Sequence, residues 1–359
     1  MAYFIITLSL VALGIIKKKS TGVDICLYFA IFVVSVCFTE GHDLSLYRDG
    51  YEQPYVDSDN VEMYRSLFYA SFVFILKFLG FSFFQFRIVC FILWSLAALF
   101  LIKKYSKYPT FVFSVCTLLP LLANASLIKN GLMVSIVYVA IYQLNKRQNK
   151  KGLILYTFLI LLAGYMHNTA YCYLLGIIAI GKHFSSGTLL RLSMTSSFIL
   201  VFLLLSGILR HILLLIVNDY YAEHYFSQLG DFYWPHFHYF IGIFVNLWFS
   251  FRAEKIERAT IGTTDQYLWE FSRFVKRMNI LMILFLPLII VSVTFWRIYL
   301  NLLPLTVISV ANASYNYDIK KNNKGKYLKF SFLTYYYSVV FLYNLGQGTF
   351  FEFWNSIQL

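Results

Sequence analysis

A chain of 359 residues that is 59% hydrophobic and 20% aromatic, with only 13% charged side chains, departs from soluble domains, which carry about 25% charged residues. A water-soluble enzyme is excluded on that ground. At roughly 20 residues per crossing, about twelve membrane helices would occupy some 240 residues and leave no room for a soluble catalytic domain. The net charge of +13 reads as the Lys and Arg excess of cytoplasmic loops, so no nucleic-acid partner is expected.

Apolar runs punctuated by charge predict membrane segments at 2–16, 23–39, 86–102, 109–124, 127–144, 152–166, 168–181, 193–217, 234–251, 279–295, 298–315 and 330–350. The fold class expected is all-α: one polytopic membrane bundle over 1–359, with an external loop and interfacial helix at 40–85 and a cytoplasmic loop at 252–278. The first run precedes Lys17, Lys18 and Lys19; a secretory signal carries its charge before the apolar stretch, so an anchor is expected. Cys26, Cys37, Cys90, Cys116 and Cys172 lie in apolar runs without a CxxC pair, which fits packing rather than a disulfide or metal framework.

Charge sets the orientation. With Met1 outside and every segment reversing the chain, the basic clusters at 17–19, 103–107, 146–151, 182–191, 252–277 and 320–329 all face the cytoplasm. Most acidic residues, Glu40, Asp43, Asp49, Glu52 and Asp57 among them, then lie outside, as do both termini. A crossing at 61–80 would invert everything downstream. That stretch, with Glu62, Arg65 and Lys77 among Leu67, Phe68, Phe72, Phe74, Leu76 and Leu79, is instead expected as an external amphipathic helix. A similar helix is expected on the inner face around Trp269, Phe271, Phe274, Val275 and Met278.

Two intervals are too short for two full crossings. From Lys151 to Lys182 the chain must leave and return to the cytoplasm, which would need about 40 residues. A hairpin of short or broken helices is predicted, turning at Tyr165-Met166-His167-Asn168-Thr169. Such irregular backbone is tolerated at depth only where protein or a wet cavity surrounds it. The interval Tyr108–Asn145 is nearly as tight, with polar turns at Asn124-Ala125-Ser126 and Lys129-Asn130-Gly131.

Outside the cytoplasmic clusters stand seven cations: Arg48, Arg65, Lys77, Arg87, Lys129, Arg210 and Arg297. Arg87, Lys129, Arg210 and Arg297, with His167, are expected at one depth in the outer leaflet. An ionisable group at mid-membrane costs about 2.5–3.5 kcal/mol even on the lenient insertion scale, so several at one level point to an anion. A lipid-linked diphosphate is the anion native there. Each also has an ordinary reading: Arg297 beside Trp296 snorkelling to headgroups, Arg87 and Arg210 as headgroup contacts, His167 as a packing residue. Lys129, with mostly apolar neighbours on either side, is hardest to explain that way. The acidic, tyrosine-rich stretch from Glu40 to Tyr51 suits a sugar, whose hydroxyls donate to carboxylates and whose faces cover rings; an unspecialised acidic loop is the alternative. Trp234, His236, His238 and Tyr239 lack the spacing and carboxylates of a metal site, and no metal is expected.

Four stretches carry a family resemblance: Gly41-His42-Asp43 with Tyr47 and Tyr51; Ile128-Lys129-Asn130-Gly131-Leu132; Ala163-Gly164-Tyr165-Met166-His167-Asn168-Thr169-Ala170; and Arg297-Ile298-Tyr299. They are similar to the external G-x-D…Y…Y, I-R-N/Q-x-L/A, A-x-x-x-H-x-[ST]-A and late Arg-x-x-Tyr/Phe stretches of EpsG-type, Wzy-like polymerases of O-antigen, capsular and exopolysaccharide. Two departures stand out. Lys129 replaces an Arg, which keeps charge but loses the bidentate fork, and Cys37-Phe38-Thr39-Glu40 lacks the Arg common before Gly-x-Asp.

The resemblance implies a metal-independent, cofactor-free glycosyltransferase in the bacterial inner membrane. It would move a growing glycan from undecaprenyl diphosphate to another lipid-linked repeat unit at the outer face. Membrane lipid and, from the same pathway, a chain-length regulator and a flippase are the expected partners. On that reading Arg297 and Lys129 hold the diphosphate with Asn130 beside them, and Arg87 or Arg210 assists. His167 is the base or orients the acceptor, and Asp43, with Tyr47 and Tyr51, contacts sugar or is the alternative base. A flippase for the same lipid and a membrane acyltransferase are the rivals; no internal repeat supports the first, and a paired-arginine stretch expected of the second is missing.

Overall fold

A computed structural model describes residues 2–37, 42–52, 66–121, 127–181, 183–206, 208, 237–259, 266–291, 295–319 and 323–346. The described residues are helical, with no strand among them. The chain opens with α1 (Ala2–Lys17) and α2 (Thr21–Cys37), then α3 (His42–Glu52), α4 (Leu67–Phe78) and α5 (Phe83–Tyr105). The start of α5 is set by a capping box, in which Ser82 and Gln85 satisfy each other's backbone N–H. Next come α6 (Pro109–Cys116), which begins on a proline and runs into a π turn at Thr117–Leu121, α7 (Ile128–Lys146) and α8 (Lys150–Met166). A 3₁₀ helix (Asn168–Leu175) leads into α9 (Gly176–Ile180), followed by α10 (Ser186–Leu205), α11 (Phe237–Ala259) and α12 (Gln266–Met282). The last elements are α13 (Leu286–Val291), α14 (Trp296–Leu300), α15 (Leu303–Ile319) and α16 (Asn323–Gly346).

Three stretches among the described residues are long and apolar enough to cross a membrane: Phe83–Tyr105, Ser186–Leu204 and Trp296–Tyr315. Their surroundings differ. The α14–α15 stretch is almost wholly enclosed by α6, α11, α12 and α16, whereas α10 leaves Leu192, Phe198, Ile199 and Phe202 exposed. An apolar exposed face of that kind is stable against lipid and not against water.

The short hairpin expected from Lys151 to Lys182 is present. The descending arm needs fewer residues because 3₁₀ helix rises about 2.0 Å per residue against 1.5 Å for α-helix. Residues 168–180 thereby span about 24 Å, close to the length of α8. The arms close tightly because two glycines stand where side chains would collide: a Cβ on Gly164 would meet the Tyr171 ring, and one on Gly176 would meet Tyr156. The Tyr156 hydroxyl donates across the gap to the Tyr173 carbonyl.

Three expectations are revised. Residues 42–52, read as part of a loop, form the helix α3, whose C-terminal carbonyls at Tyr51 and Glu52 both accept from Lys77 Nζ at 3.0 Å. Lys77 is therefore a helix cap. In α4, Tyr69, Val73 and Leu76 are buried in a stripe, and the opposite side exposes Leu67, Phe68, Phe74, Ile75 and Phe78. Both faces are apolar; Glu62 and Arg65, which supplied the expected polar side, lie outside the described residues. Finally, α12 is not an exposed amphipathic helix. It is buried almost continuously from Phe271 to Met282, packed on α9, α10, α11 and α15. Its cations tolerate this because each has a partner. Lys276 pairs with Glu254 at 3.0 Å, Arg277 donates to the carbonyls of Phe184 (2.8 Å) and Ile178 (3.0 Å), and Arg273 lies over the Trp269 ring at 5.2 Å.

Candidate functional site

The α7–α8 hairpin sets two of the predicted residues at one level. Its helices pack along their length and join through the tight turn at 147–149. Lys129, in the first turn of α7, and His167, just past α8, are nearly equidistant from that turn, about 27 Å along each helix. His167 ends α8 through its N–H to the Ala163 carbonyl (2.9 Å) and adopts extended backbone, φ −157° and ψ 124°. Its side chain then caps the 3₁₀ helix. Nδ1 accepts from the Thr169 backbone N–H at 3.3 Å and lies 2.8 Å from Thr169 Oγ1. The break in the hairpin thus fixes the imidazole on the chain that follows it.

Arg297 is brought in by a clasp between distant segments. Asn130 and Asn301 exchange two amide hydrogen bonds, at 3.1 and 3.2 Å, and both side chains are buried. Tyr138 of α7 donates to the Asn301 carbonyl at 2.9 Å, and Tyr173 of the 3₁₀ helix donates to the Ile298 carbonyl at 3.0 Å. Both arms of the site therefore grip the turn between α14 and α15, immediately after Arg297. Lys129 adjoins one half of the clasp and Arg297 the other. The charges that act on the His167 ring are those of Lys129 and Arg297. Residues separated by up to 168 positions in the chain thus come near enough for the charges of Lys129 and Arg297 to act on the His167 ring.

Tyr69 completes this neighbourhood. Lys129 Nζ sits 5.6 Å from the centroid of its ring, which is fully buried and also touches Tyr47 (6.2 Å) and Phe86 (6.4 Å). Tyr47 is thus one ring away from Lys129. Tyr51 faces the other way: it packs on Phe86 at 4.9 Å and donates to the Phe81 carbonyl at 2.7 Å.

Arg87 does not join this group. It is buried on α5, and its Nη2 donates to the Ser35 carbonyl at 2.5 Å. Its charged neighbour is Arg48 of α3, with Cys37 and Cys90 close by. Asp43 has its backbone in the first turn of α3, but its side chain lies outside the described residues, as does all of Arg210. No group of three or more His, Cys, Asp and Glu side chains comes together among the described residues.

Sequence reasoning missed Tyr69, Tyr138, Tyr173 and Asn301. The amides carried a usable signal, since Asn130 and Asn301 interrupt apolar runs and a buried amide must find a partner. The tyrosines carried none, being three among 29.

No curated protein and no solved structure matches the chain. Three of the four stretches that pointed to a family, those holding Lys129, His167 and Arg297, are brought together here, and the EpsG family model matches residues 23–355, nearly the whole length: the chain belongs to the EpsG family.

Proposed function

We propose that this membrane protein is a polysaccharide polymerase that transfers a growing glycan from undecaprenyl diphosphate to a second lipid-linked repeat unit at the outer face of the bacterial inner membrane. Family membership supports an exopolysaccharide polymerase-like role. The observation that carries the finer reading is the convergence of Lys129, His167 and Arg297 from three separate helical segments.

The leaving group of such a transfer is a diphosphate, whose negative charge grows as the glycosidic bond breaks. Two cations held in place before the reaction stabilise that charge without reorganising. Arg297 offers a planar fork for phosphate oxygens and Lys129 a point charge. The buried Asn130–Asn301 clasp holds both backbones in register. Breaking the bond between the sugar and the diphosphate supplies the driving force, and the intact polyprenyl diphosphate leaves, so the reaction needs neither metal, cofactor nor nucleotide sugar.

The hydrogen bonds of His167 favour one of its two candidate roles. Nδ1 accepts from the Thr169 N–H, so the neutral ring carries its proton on Nε2. Nε2–H is a donor, suited to orienting the acceptor hydroxyl or a phosphate oxygen rather than to removing a proton. The base is then Asp43, beside Tyr47 and Tyr51 on α3, where rings and a carboxylate suit a sugar. The protein spans the membrane many times with both termini outside, and it works beside a flippase and a chain-length regulator.

Purified protein reconstituted with lipid-linked repeat units, without nucleotide or added metal, is expected to yield a ladder of longer glycans. Units that cross the bilayer unchanged would instead identify a transporter. His167→Ala should abolish the ladder. His167→Gln, whose amide reproduces an Nε2–H donor, should retain part of it; a dead Gln variant would return His167 to the role of base.

A further inference from the structure

The polymerisation reaction has two lipid-linked substrates, and each carries its own diphosphate. Lys129, His167 and Arg297 provide for one. The outer half of the molecule holds a second group of cations, built from α3 and α5. Arg87 is 5% exposed, its Nη2 is engaged by the Ser35 carbonyl, and its Nε has no hydrogen-bond partner among the described residues. The charge beside it is another guanidinium, Arg48, half-buried and lying over the Phe83 ring at 5.8 Å. Neither makes an ion pair with a carboxylate among the described residues. Burying a guanidinium next to a like charge is unfavourable on both counts. The arrangement is stable where an anion completes it, and two guanidiniums suit the oxygens of a phosphate or diphosphate.

This pair is separate from the first. Arg48 lies over the Phe83 ring and Arg87 donates to the Ser35 carbonyl of α2, whereas Lys129 lies over the Tyr69 ring. Between the two groups stands an aromatic partition: Lys129 meets Tyr69, Tyr69 meets Phe86, and Phe86 adjoins Arg87. Tyr51 closes the same partition on Phe83 and Phe86.

We propose that Arg48 and Arg87 hold the diphosphate of the second lipid-linked substrate, the acceptor, on the far side of Tyr69 and Phe86 from the donor diphosphate. The assignment of donor and acceptor rests on the polymerase reading; the existence of a second diphosphate site does not. Separate anchors would keep two carriers of like charge apart while their glycans meet over the tyrosines of α3.

The test is binding stoichiometry, read by native mass spectrometry on the full chain in nanodiscs of zwitterionic phosphatidylcholine, with sugar-free polyprenyl diphosphate as the probe. The wild type is expected to take two probes. Arg48→Gln, at a half-exposed position that the fold tolerates, and Arg87→Gln should each leave one, with the second site at least about tenfold weaker. Lys129→Met should remove the other. A wild type that binds one probe, or an Arg48→Gln protein that still binds two equally well, overturns the proposal. Displacement of the second probe by equimolar phosphatidylglycerol also overturns it, because the site would then be an ordinary phospholipid headgroup site. In the ladder assay, Arg48→Gln should raise the acceptor KM about tenfold and leave the donor KM unchanged. Two bound probes with no ladder would sink the polymerase reading and leave the second site standing; a ladder with a single bound probe would do the reverse.

Discussion

On α12, Lys276 lies 3.0 Å from the Glu254 carboxylate, and Arg277, whose charged neighbour is Arg273, donates to two backbone carbonyls. On α5 the buried Arg87, whose charged neighbour is Arg48, donates to one. The Lys129 pocket resembles the second case, with two cations acting on one imidazole. Burial of a cation costs several kcal/mol wherever it occurs. Around α12 the fold meets that cost with groups of its own, the Glu254 carboxylate and the carbonyls of Phe184 and Ile178. On the proposed reading, the like charges gathered from α3 and α5, and from α7 and α14, are there for an anionic ligand. Counting misplaced charges finds Arg87, Lys129 and Arg297 and passes over Lys276 and Arg277, which stand in a basic cluster read as cytoplasmic.

The contrast predicts where damage appears. The largest expected effect is around α12: Lys276→Met leaves the Glu254 carboxylate buried and uncompensated, which should lower stability by about 3–5 kcal/mol. It should lower Tm in nanodiscs while the surviving folded protein polymerises at the normal rate. Arg297→Ala should do the opposite, with no loss of Tm and glycan synthesis reduced about 10²–10³-fold. In the same pocket Lys129→Arg should remain active and Lys129→Met should not. An Arg297→Ala protein that unfolds, or a Lys276→Met protein that is stable and inactive, would erase the distinction.

A smaller effect is expected where the two demands meet. Asn130→Ala strands the Asn301 amide and should cost about 1–3 kcal/mol of stability. It should also reduce the ladder, because the clasp sets the register of Lys129 against Arg297. Loss of Tm without loss of turnover would show that the clasp does not position the cations. The smallest effect belongs to Glu257, in the stretch read as cytoplasmic. Burial, reinforced by the neighbouring Glu254 charge and opposed by the Ser272 hydroxyl, raises its carboxyl pKa well above the ordinary value. A raised pKa in the folded state favours folding below the ordinary carboxylate pKa and costs stability as pH rises toward the raised value. Glu257→Gln should therefore raise Tm at pH 8 and change it little at pH 4; the reverse order would refute that account of the charges around α12.

Much of this fold was legible. Every apolar run named from the sequence contains helix among its described residues, because lipid-facing and core-facing positions are both apolar and long runs leave few alternatives. The broken hairpin followed from length alone, since too few residues lay between Lys151 and Lys182 for two α-helical crossings. The pocket residues were found by elimination: once 23 of the 30 Lys and Arg are assigned to cytoplasmic clusters, Lys129 and Arg297 stand out against their surroundings. The sequence misjudged α12, because an amphipathic helix facing headgroups and one facing internal partners have the same periodicity. It did not reveal Arg48 as the charged neighbour of Arg87, since depth along a helix says nothing of which way round the bundle a side chain faces.

Composition and charge order were sufficient for the class of molecule, its helical segments and the residues whose presence in an apolar phase demands an explanation. Those follow from transfer free energies, which depend on residue type and neighbours along the chain. Which cations meet was decided only by helix packing: Asn130 against Asn301 and the Tyr173 grip on Ile298 join positions that no local rule connects. Two charges separated by 168 residues come to act on one imidazole through a rotation and a register, and both are properties of the packed bundle.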